Sequence, residues 1–134
     1  MIEFEIVNSA QKTKIGGSEN EKSIAGILSY KAPSTDSGQV RIFMAGDITA
    51  DVEKRLVWQR ILKESVNVLK VNHHGSKEAS SEELLEILKP KLAVISIGAK
   101  NKFGHSTKEI LERLKKWGVE ILRTDEKGGI IYSL

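Results

Sequence analysis

The run "KLAVISIG" at residues 91–98 constrains the fold most, because it is almost continuously apolar and lies between two predicted helices. Strands that are apolar at successive positions bury both faces, which is typical of parallel strands inside an α/β sheet. Before the run, "SSEE" at residues 80–83 predicts a capping box, and Pro90 ends the helix that follows. After it, Ser106 and Glu109 predict a second capping box and a second helix. A strand enclosed by helices is the repeating unit of an α/β fold.

The remaining segments continue this alternation of strands and helices. From period-two alternation or short apolar runs, further strands are predicted at residues 2–7, 23–31, 40–45, 66–71, 119–122 and 129–132. A helix is predicted at residues 51–63, and the polar stretch 11–22 is predicted to be a loop. In such an α/β arrangement, functional loops gather beyond the carboxyl ends of the strands.

Composition narrows the class of protein. With 134 residues the chain suits one domain, which we assign to residues 1–134. The absence of cysteine excludes disulfides, thiolate zinc sites and cysteine nucleophiles. A formal net charge of +3 permits nucleic acid as a partner without requiring it. No apolar run approaches the roughly 18 residues of a membrane span, so no membrane segment is predicted in this chain.

Asp47 is the first candidate for chemistry, because it follows the apolar strand of "MAGDIT". A carboxylate at the end of a strand can bind a metal ion, or it can cap the helix that follows. Considered alone, this position favours the cap or turn interpretation.

The adjacent residues His73 and His74 follow the next strand, in "NHHGS". Neutral imidazole is a common metal ligand, and neighbouring side chains at a strand end point to opposite sides. One histidine can therefore face a pocket while the other reaches a supporting partner. Gly75 permits close backbone approach, and Ser76 places a hydroxyl beside amides able to hold a phosphate. The alternative interpretation is a solvated polar loop.

His105, in "NKFGHST", precedes a predicted helix start. Free amides and the helix dipole favour an anion at such a position, so His105 is a candidate phosphate contact. The alternative, favoured when the segment is considered alone, is a histidine packed against the start of the helix.

Taken together, these segments resemble the metallo-β-lactamase-like domain at the C-terminus of ComEC-type competence proteins, which internalise DNA in naturally transformable bacteria. The matching segments, in order, are "ENEKSIAGILSY", "FMAGDI", "VLKVNHHGSKEASS", "PKLAVISIG", "NKFGHS" and "RTDEKGG". The resemblance runs from about Asn20 to the end of the chain. It rests above all on Gly46 with Asp47, on "HHGS", and on Asn101 with His105.

The resemblance implies a role for each matching residue. Asp47 corresponds to a ligand that bridges two metal ions, and His73 to a ligand of the second metal, with His74 as the alternate ligand or a supporting group. His105 corresponds to a residue that contacts substrate phosphate or orients the site, although the family usually has proline where Ser106 follows it. The expected catalytic residues are Asp47 and His105. Substrate contacts are expected from Gly75, Ser76, Asn101 and His105.

The family's main metal motif, of the His-x-His-x-Asp-His type, does not occur in the sequence. The resemblance therefore implies only the second half of a four-layer α/β/β/α sandwich, with one mixed sheet and helices on its outer face. Such a half offers about three ligands, fewer than two metal ions need. The expected cofactor is a divalent metal, zinc or manganese, in a site that this chain leaves incomplete.

Three functions remain open from the sequence. In the first, the chain is half of a hydrolase: it is inactive alone and cleaves phosphodiesters when another chain supplies the missing ligands. In the second, it is a non-catalytic module that binds DNA or protein. In the third, it is a fragment without separate function. A basic rim for DNA is predicted around the candidate loops, with surface lysines of no special role as the alternative. The lysines concerned are Lys70, Lys77, Lys100, Lys102 and Lys108.

The implied half-sandwich leaves one apolar sheet face uncovered. We therefore expect a homodimer, with Val94 or Ile95 near its interface, or a partner chain that covers this face. The expected location is cytoplasmic for a stand-alone chain, and the extracytoplasmic face for part of a larger competence membrane protein.

Overall fold

The computed structural model describes residues 1–8, 18–31 and 38–131. These residues form one six-stranded sheet whose strands lie side by side in sequence order. The strands are β1 (Ile2–Asn8), β2 (Ala25–Lys31), β3 (Gln39–Ala45), β4 (Val68–Lys70), β5 (Leu92–Ile95) and β6 (Glu120–Arg123). Strands β1, β2 and β3 pair antiparallel, whereas β3, β4, β5 and β6 pair parallel. The predicted α/β class with one mixed sheet is confirmed.

The helices connect the parallel strands. They are α1 (Ala50–Trp58), α2 (Glu82–Leu88), α3 (Lys108–Lys116) and α4 (Thr124–Lys127), and short 3₁₀ turns occur at Asn20–Lys22 and His73–Gly75. Helix α1 joins β3 to β4, α2 joins β4 to β5, and α3 joins β5 to β6. Since crossovers between parallel strands are almost always right-handed, three successive crossovers in one direction place their helices on the same side of the sheet.

The two predicted capping boxes have different outcomes. Helix α2 begins within the predicted segment, but its cap is Ser81 and not Ser80: the Ser81 hydroxyl accepts a hydrogen bond from the Leu84 amide at 3.3 Å, and no glutamate completes the box. The box at Ser106 is wrong, because α3 is preceded by Thr107 and has no side-chain cap hydrogen bond. Ser106 instead packs against Gly75, where an added Cβ would lie 2.9 Å from the Ser106 Cβ. A tertiary contact therefore removes this serine from the cap position.

Two predicted elements need correction, and one lies partly outside the described residues. The helix predicted at 51–63 ends at Trp58, because Arg60 takes a left-handed backbone with φ of 53°. The strand predicted at 129–132 is wrong for residues 129–131, which follow a left-handed turn at Gly128 with φ of 69°, and Tyr132 is outside the described residues. Residues 11–17 of the predicted loop are also outside them.

One side of the sheet is covered by the helices and forms the core. Phe43, Leu69, Ala93 and Ile95 alternate onto this side and are completely buried. Helix α1 contributes Leu56, α2 contributes Leu84, Leu85 and Leu88, and α3 contributes Ile110 and Leu114. The core therefore lies between the sheet and its helices, which positions the carboxyl ends of β3, β4 and β5 at one edge of the molecule.

The opposite side of the sheet, which we call the open face, is apolar and only partly buried. Ile2 and Phe4 on β1 are 70% and 49% exposed, and Leu28, Ile42 and Val94 are half-buried. Strand pairing places Phe4 opposite Leu28 and Leu28 opposite Ile42, so these side chains form a continuous surface. The remaining apolar members of the open face are Ile6, Tyr30, Val40, Met44, Val68, Leu92 and Leu122, of which Val68 and Leu92 are buried.

The two residues proposed from the sequence as alternatives near an interface lie on different faces of the sheet. Val94 lies on the open face, whereas Ile95 points into the helix-covered core and is completely buried. Because side chains alternate along a strand, adjacent residues of β5 cannot both contribute to one face. In the part of the chain that the structure describes, no helix is long and apolar enough to cross a membrane.

Candidate functional site

The candidate residues meet where three parallel strands end. Asp47 follows β3, the His73–Gly75 turn follows β4, and Ser96 follows β5, while His105 lies in the loop before α3. Because β3, β4 and β5 are parallel neighbours, their carboxyl ends open onto the same edge of the sheet. The structure therefore brings together the aspartate and the three histidines that the sequence singled out.

His74 is oriented between a carbonyl and a carboxylate. Its Nδ1 lies 2.8 Å from the carbonyl oxygen of Ser96, and its Nε2 lies 3.7 Å from Oδ1 of Asp47. A carbonyl can only accept a hydrogen bond, so we assign the proton of a neutral His74 to Nδ1. Nε2 then carries the lone pair and is the ring nitrogen near the Asp47 carboxylate.

His73 and His105 form the second part of the cluster. Their ring centroids are 5.8 Å apart, and the His73 amide donates to the Gly46 carbonyl at 3.1 Å. Burial lowers the pKa of the half-buried His105, the nearby His73 and His74 lower it further, and Asp47 opposes the shift. His105 therefore favours the neutral imidazole near neutral pH.

The turn that carries the two histidines has an unusual backbone. His73, His74 and Gly75 have φ of 45°, 50° and 77°, all in the left-handed region that non-glycine residues rarely adopt. Such a conformation persists only where the surrounding structure enforces it, and it often occurs at functional sites. Here the Gly75 carbonyl accepts a hydrogen bond from the Thr107 amide at 3.0 Å, which fixes the turn against the His105 loop.

The polar residues expected to contact substrate have mainly local roles in this structure. The Gly75 and Ser76 amides donate to the carbonyls of Asn72 and His73 at 3.1 and 3.0 Å, so these two amides are already engaged within the turn. Asn101 shapes its own loop: its Oδ1 accepts from the amides of Phe103 at 2.9 Å and of His105 at 3.3 Å, and its Nδ2 donates to the His105 carbonyl.

Sequence reasoning missed Glu53, which lies on α1 and is completely buried. Its Oε1 accepts from the Ser80 amide at 2.8 Å and from Asn72 Nδ2 at 2.5 Å, and its Oε2 accepts from the Ser81 amide at 2.6 Å. Asn72 Nδ2 also donates to the Ile48 carbonyl at 3.1 Å. We call Glu53, Asn72, Ser80 and Ser81 the Glu53 network.

The Glu53 network connects the two loops that carry the candidate ligands. Ile48 follows Asp47 and Asn72 precedes His73, so the network ties together the two loops that carry the candidate ligands. Burial raises the pKa of Glu53, while the hydrogen bonds from Ser81, Asn72 and Ser80 oppose the rise. The sequence feature that could have indicated a buried Glu53 is its position three residues before Leu56, which puts it on the apolar side of the helix.

The lysines of the predicted basic rim are not equivalent. Lys70 is half-buried and donates from Nζ to the Ala45 carbonyl at 3.0 Å. Burial lowers the pKa of Lys70, and the nearby Asp47 opposes that shift. Lys108 is paired with Glu112 at 3.5 Å. Lys100 and Lys102, by contrast, are exposed and line a cavity of about 530 Å³ beside His74 and His105.

The donor set suits part of a metal site. Zinc–oxygen and zinc–nitrogen bonds of about 2.0–2.1 Å place two tetrahedral ligand atoms about 3.3 Å apart. The 3.7 Å between Asp47 Oδ1 and His74 Nε2 is close to this spacing. Among the described residues there is no group of three or more His, Cys, Asp or Glu able to hold a metal ion. Asp47 and His74 therefore fit as two ligands of one ion.

The chain is similar in sequence to segments of several known proteins. No protein-family model matches it. It is 35% identical to ComE operon protein 3 of Bacillus subtilis over 99 residues, which are 72% of the chain and 12% of that protein. It is 29% identical to competence protein ComA of Neisseria gonorrhoeae over 133 residues, which are 99% of the chain and 18% of that protein.

A third relative has a similar identity to the chain and a similar coverage. The chain is 32% identical to recombination protein 2 of Haemophilus influenzae over 95 residues, which are 71% of the chain and 12% of that protein. The chain thus spans between 12% and 18% of the length of these relatives. It is therefore homologous to a segment of a family of competence proteins.

Proposed function

We propose that this chain is the second half of a metallo-β-lactamase-like domain and supplies part of a two-metal phosphodiesterase centre for competence-related DNA processing. The observation that carries the proposal is the pairing of Asp47 Oδ1 with His74 Nε2 at 3.7 Å, at the ends of parallel strands. The remaining ligands come from another chain or segment. The names of the relatives ComE operon protein 3 and competence protein ComA support the link to competence.

Each residue of the cluster has a part in this proposal. Asp47 and His74 would hold metal in this proposal, and the Ser96 carbonyl orients His74 through its Nδ1. The family resemblance favoured His73 as the ligand. We prefer His74 because its Nε2 faces Asp47, and we retain His73 as the alternate. Zinc or manganese, when bound there, would supply a hydroxide nucleophile near neutral pH and charge neutralisation at the leaving oxygen.

His105 contacts the substrate phosphate in this proposal. Its depressed pKa keeps the imidazole neutral, so that one ring nitrogen can donate a hydrogen bond to a phosphate oxygen. The hydroxyl of Ser76 is a second candidate contact, since the amides of Gly75 and Ser76 are engaged within the turn.

The open face is the proposed partner surface. Its apolar side chains extend from β1 to β6, and a contiguous apolar surface of this kind on a monomer usually marks an interaction site. We propose that a second copy of the chain covers it in the isolated protein, by pairing like surfaces about a twofold axis.

Two preparations test the enzymatic proposal. The purified chain alone is expected to hold fewer than two metal ions and to leave DNA uncut, because its donor set is incomplete. A chimera in which the chain replaces the matching segment of ComE operon protein 3 is expected to cleave DNA with added zinc or manganese. Asp47→Ala should lower that cleavage at least about a hundredfold, since even outer partners of a metal site contribute roughly 10–100-fold.

The matched control is Asp51→Ala, which removes an exposed carboxylate on α1. It should leave the cleavage rate of the chimera unchanged. The proposal is contradicted if the isolated chain carries two metals and cuts DNA by itself, or if the chimera cuts equally well with Asp47→Ala.

A further inference from the structure

Phe103 is an exposed aromatic residue beside the candidate centre. It lies in the loop between β5 and α3, and 83% of its surface is exposed. A single exposed apolar side chain needs no explanation. This one, however, follows the exposed lysines Lys100 and Lys102 in the same loop, and all three line the cavity that His74 and His105 also line.

The Phe103 ring is held by its loop. The Phe103 amide donates to Asn101 Oδ1 at 2.9 Å, and Asn101 also bonds to the backbone on both sides of His105. The ring stacks on His105, with centroids 6.3 Å apart and planes inclined by 23°. This is a stacked pair within the range of centroid distances that aromatic rings prefer. The loop therefore presents Phe103 as a platform.

The cavity is lined by both apolar and positively charged side chains. Its volume is about 530 Å³, and its lining includes Ile97, Phe103, Lys100 and Lys102. None of the described residues that line it is acidic. Aromatic side chains next to basic ones are the elements with which proteins bind single-stranded nucleic acid, by stacking bases and pairing phosphates.

We propose that Phe103 stacks on an unpaired nucleobase, while Lys100 and Lys102 contact the phosphates of the same strand. The cavity opens beside His74, so a strand bound in this way leads a phosphodiester toward the Asp47–His74 pair. The inference rests on the proposed function and adds a substrate class, a strand with unpaired bases. A base within a duplex is stacked on its neighbours and cannot reach the ring.

Anisotropy titrations with the full chain test this stacking role. The probes are a labelled DNA single strand, the same strand with abasic sites, which keeps every phosphate, and the matching duplex. The wild type should bind the intact strand about tenfold more tightly than the abasic strand, which is within the range for one stacked base. Phe103→Leu should abolish that difference, and Phe103→Trp should keep it.

The controls separate stacking from charge and from folding. Trp58→Leu removes another exposed aromatic, 74% exposed on α1, and should leave binding unchanged. Lys100→Gln with Lys102→Gln should weaken the intact and abasic strands alike and reduce the salt dependence. Circular dichroism should be unchanged in Phe103→Leu, because this ring lies outside the core.

Each outcome decides the proposal. Equal binding of intact and abasic strands by the wild type, or of the duplex and the single strand, would overturn the stacking role and leave phosphate contact alone. Failure to bind any of the probes would also overturn it, and would point to a protein partner for Phe103. Neither outcome affects the metal-dependent cleavage expected of the chimera, so the two proposals fail independently.

Discussion

Replacing Glu53 with leucine is expected to destabilise the protein by about 3 kcal/mol or more. The Glu53 carboxylate accepts three buried hydrogen bonds, from the amides of Ser80 and Ser81 and from Asn72 Nδ2. Leucine leaves the Ser80 and Ser81 amides without an acceptor and removes one of the two acceptors of Asn72 Nδ2. Each buried unsatisfied donor costs about 1–3 kcal/mol. Glu53→Gln retains one acceptor oxygen and should lose an intermediate amount of stability.

Urea denaturation measures this effect, with Glu86→Leu as the matched control. Glu86 is an exposed glutamate on α2, so its replacement should change the free energy of unfolding by less than about 0.5 kcal/mol. A Glu53→Leu protein as stable as the wild type would show that the Ser80 and Ser81 amides find other partners, and the Glu53 network would then not support the site.

The second large effect is expected at the open face. The wild-type chain should sediment as a dimer at micromolar concentration, because burying the apolar open face removes it from water. Ile42→Lys places a charge in the middle of that interface. Burying an unpaired ammonium is costly, so the dimer dissociation constant should rise at least about a hundredfold, equivalent to about 2.7 kcal/mol.

Sedimentation velocity distinguishes the outcomes. The control is Glu3→Lys, which changes an exposed residue on the other side of β1 and should leave the dimer intact. A wild-type chain that stays monomeric throughout the micromolar range would contradict the proposed interface. A dimer that is unaffected by Ile42→Lys would place the contact elsewhere.

Much of the fold was predictable because local patterns and tertiary burial agree. Along β3, Phe43 is buried and Ile42 is half-buried, as the alternation of a strand requires. Helix α2 begins with a serine cap at Ser81, one residue after the cap that the predicted box implies. The prediction was wrong where a distant contact decides the local structure, as at Ser106, which packs against Gly75 instead of capping α3.

The sequence indicated which residues lie together at the candidate site, but it did not indicate how their side chains are oriented. The sequence placed Asp47 and the histidines at neighbouring strand ends, because parallel strands share one edge. It did not indicate that His74 would face Asp47, since strand alternation does not apply to a turn with left-handed φ. Glu53 was missed because its partners Ser80 and Ser81 are 27 and 28 residues away in the chain.

The pairing of Asp47 with His74 is tested most directly by titrating zinc into the chain while following the histidine ring signals by NMR. We expect the His74 ring to shift first, with the zinc-dependent shift lost in Asp47→Asn and retained in Asp51→Asn. A His74 signal that zinc does not move, or a shift that Asp47→Asn leaves unchanged, would contradict the assignment of these two residues as ligands of one metal ion.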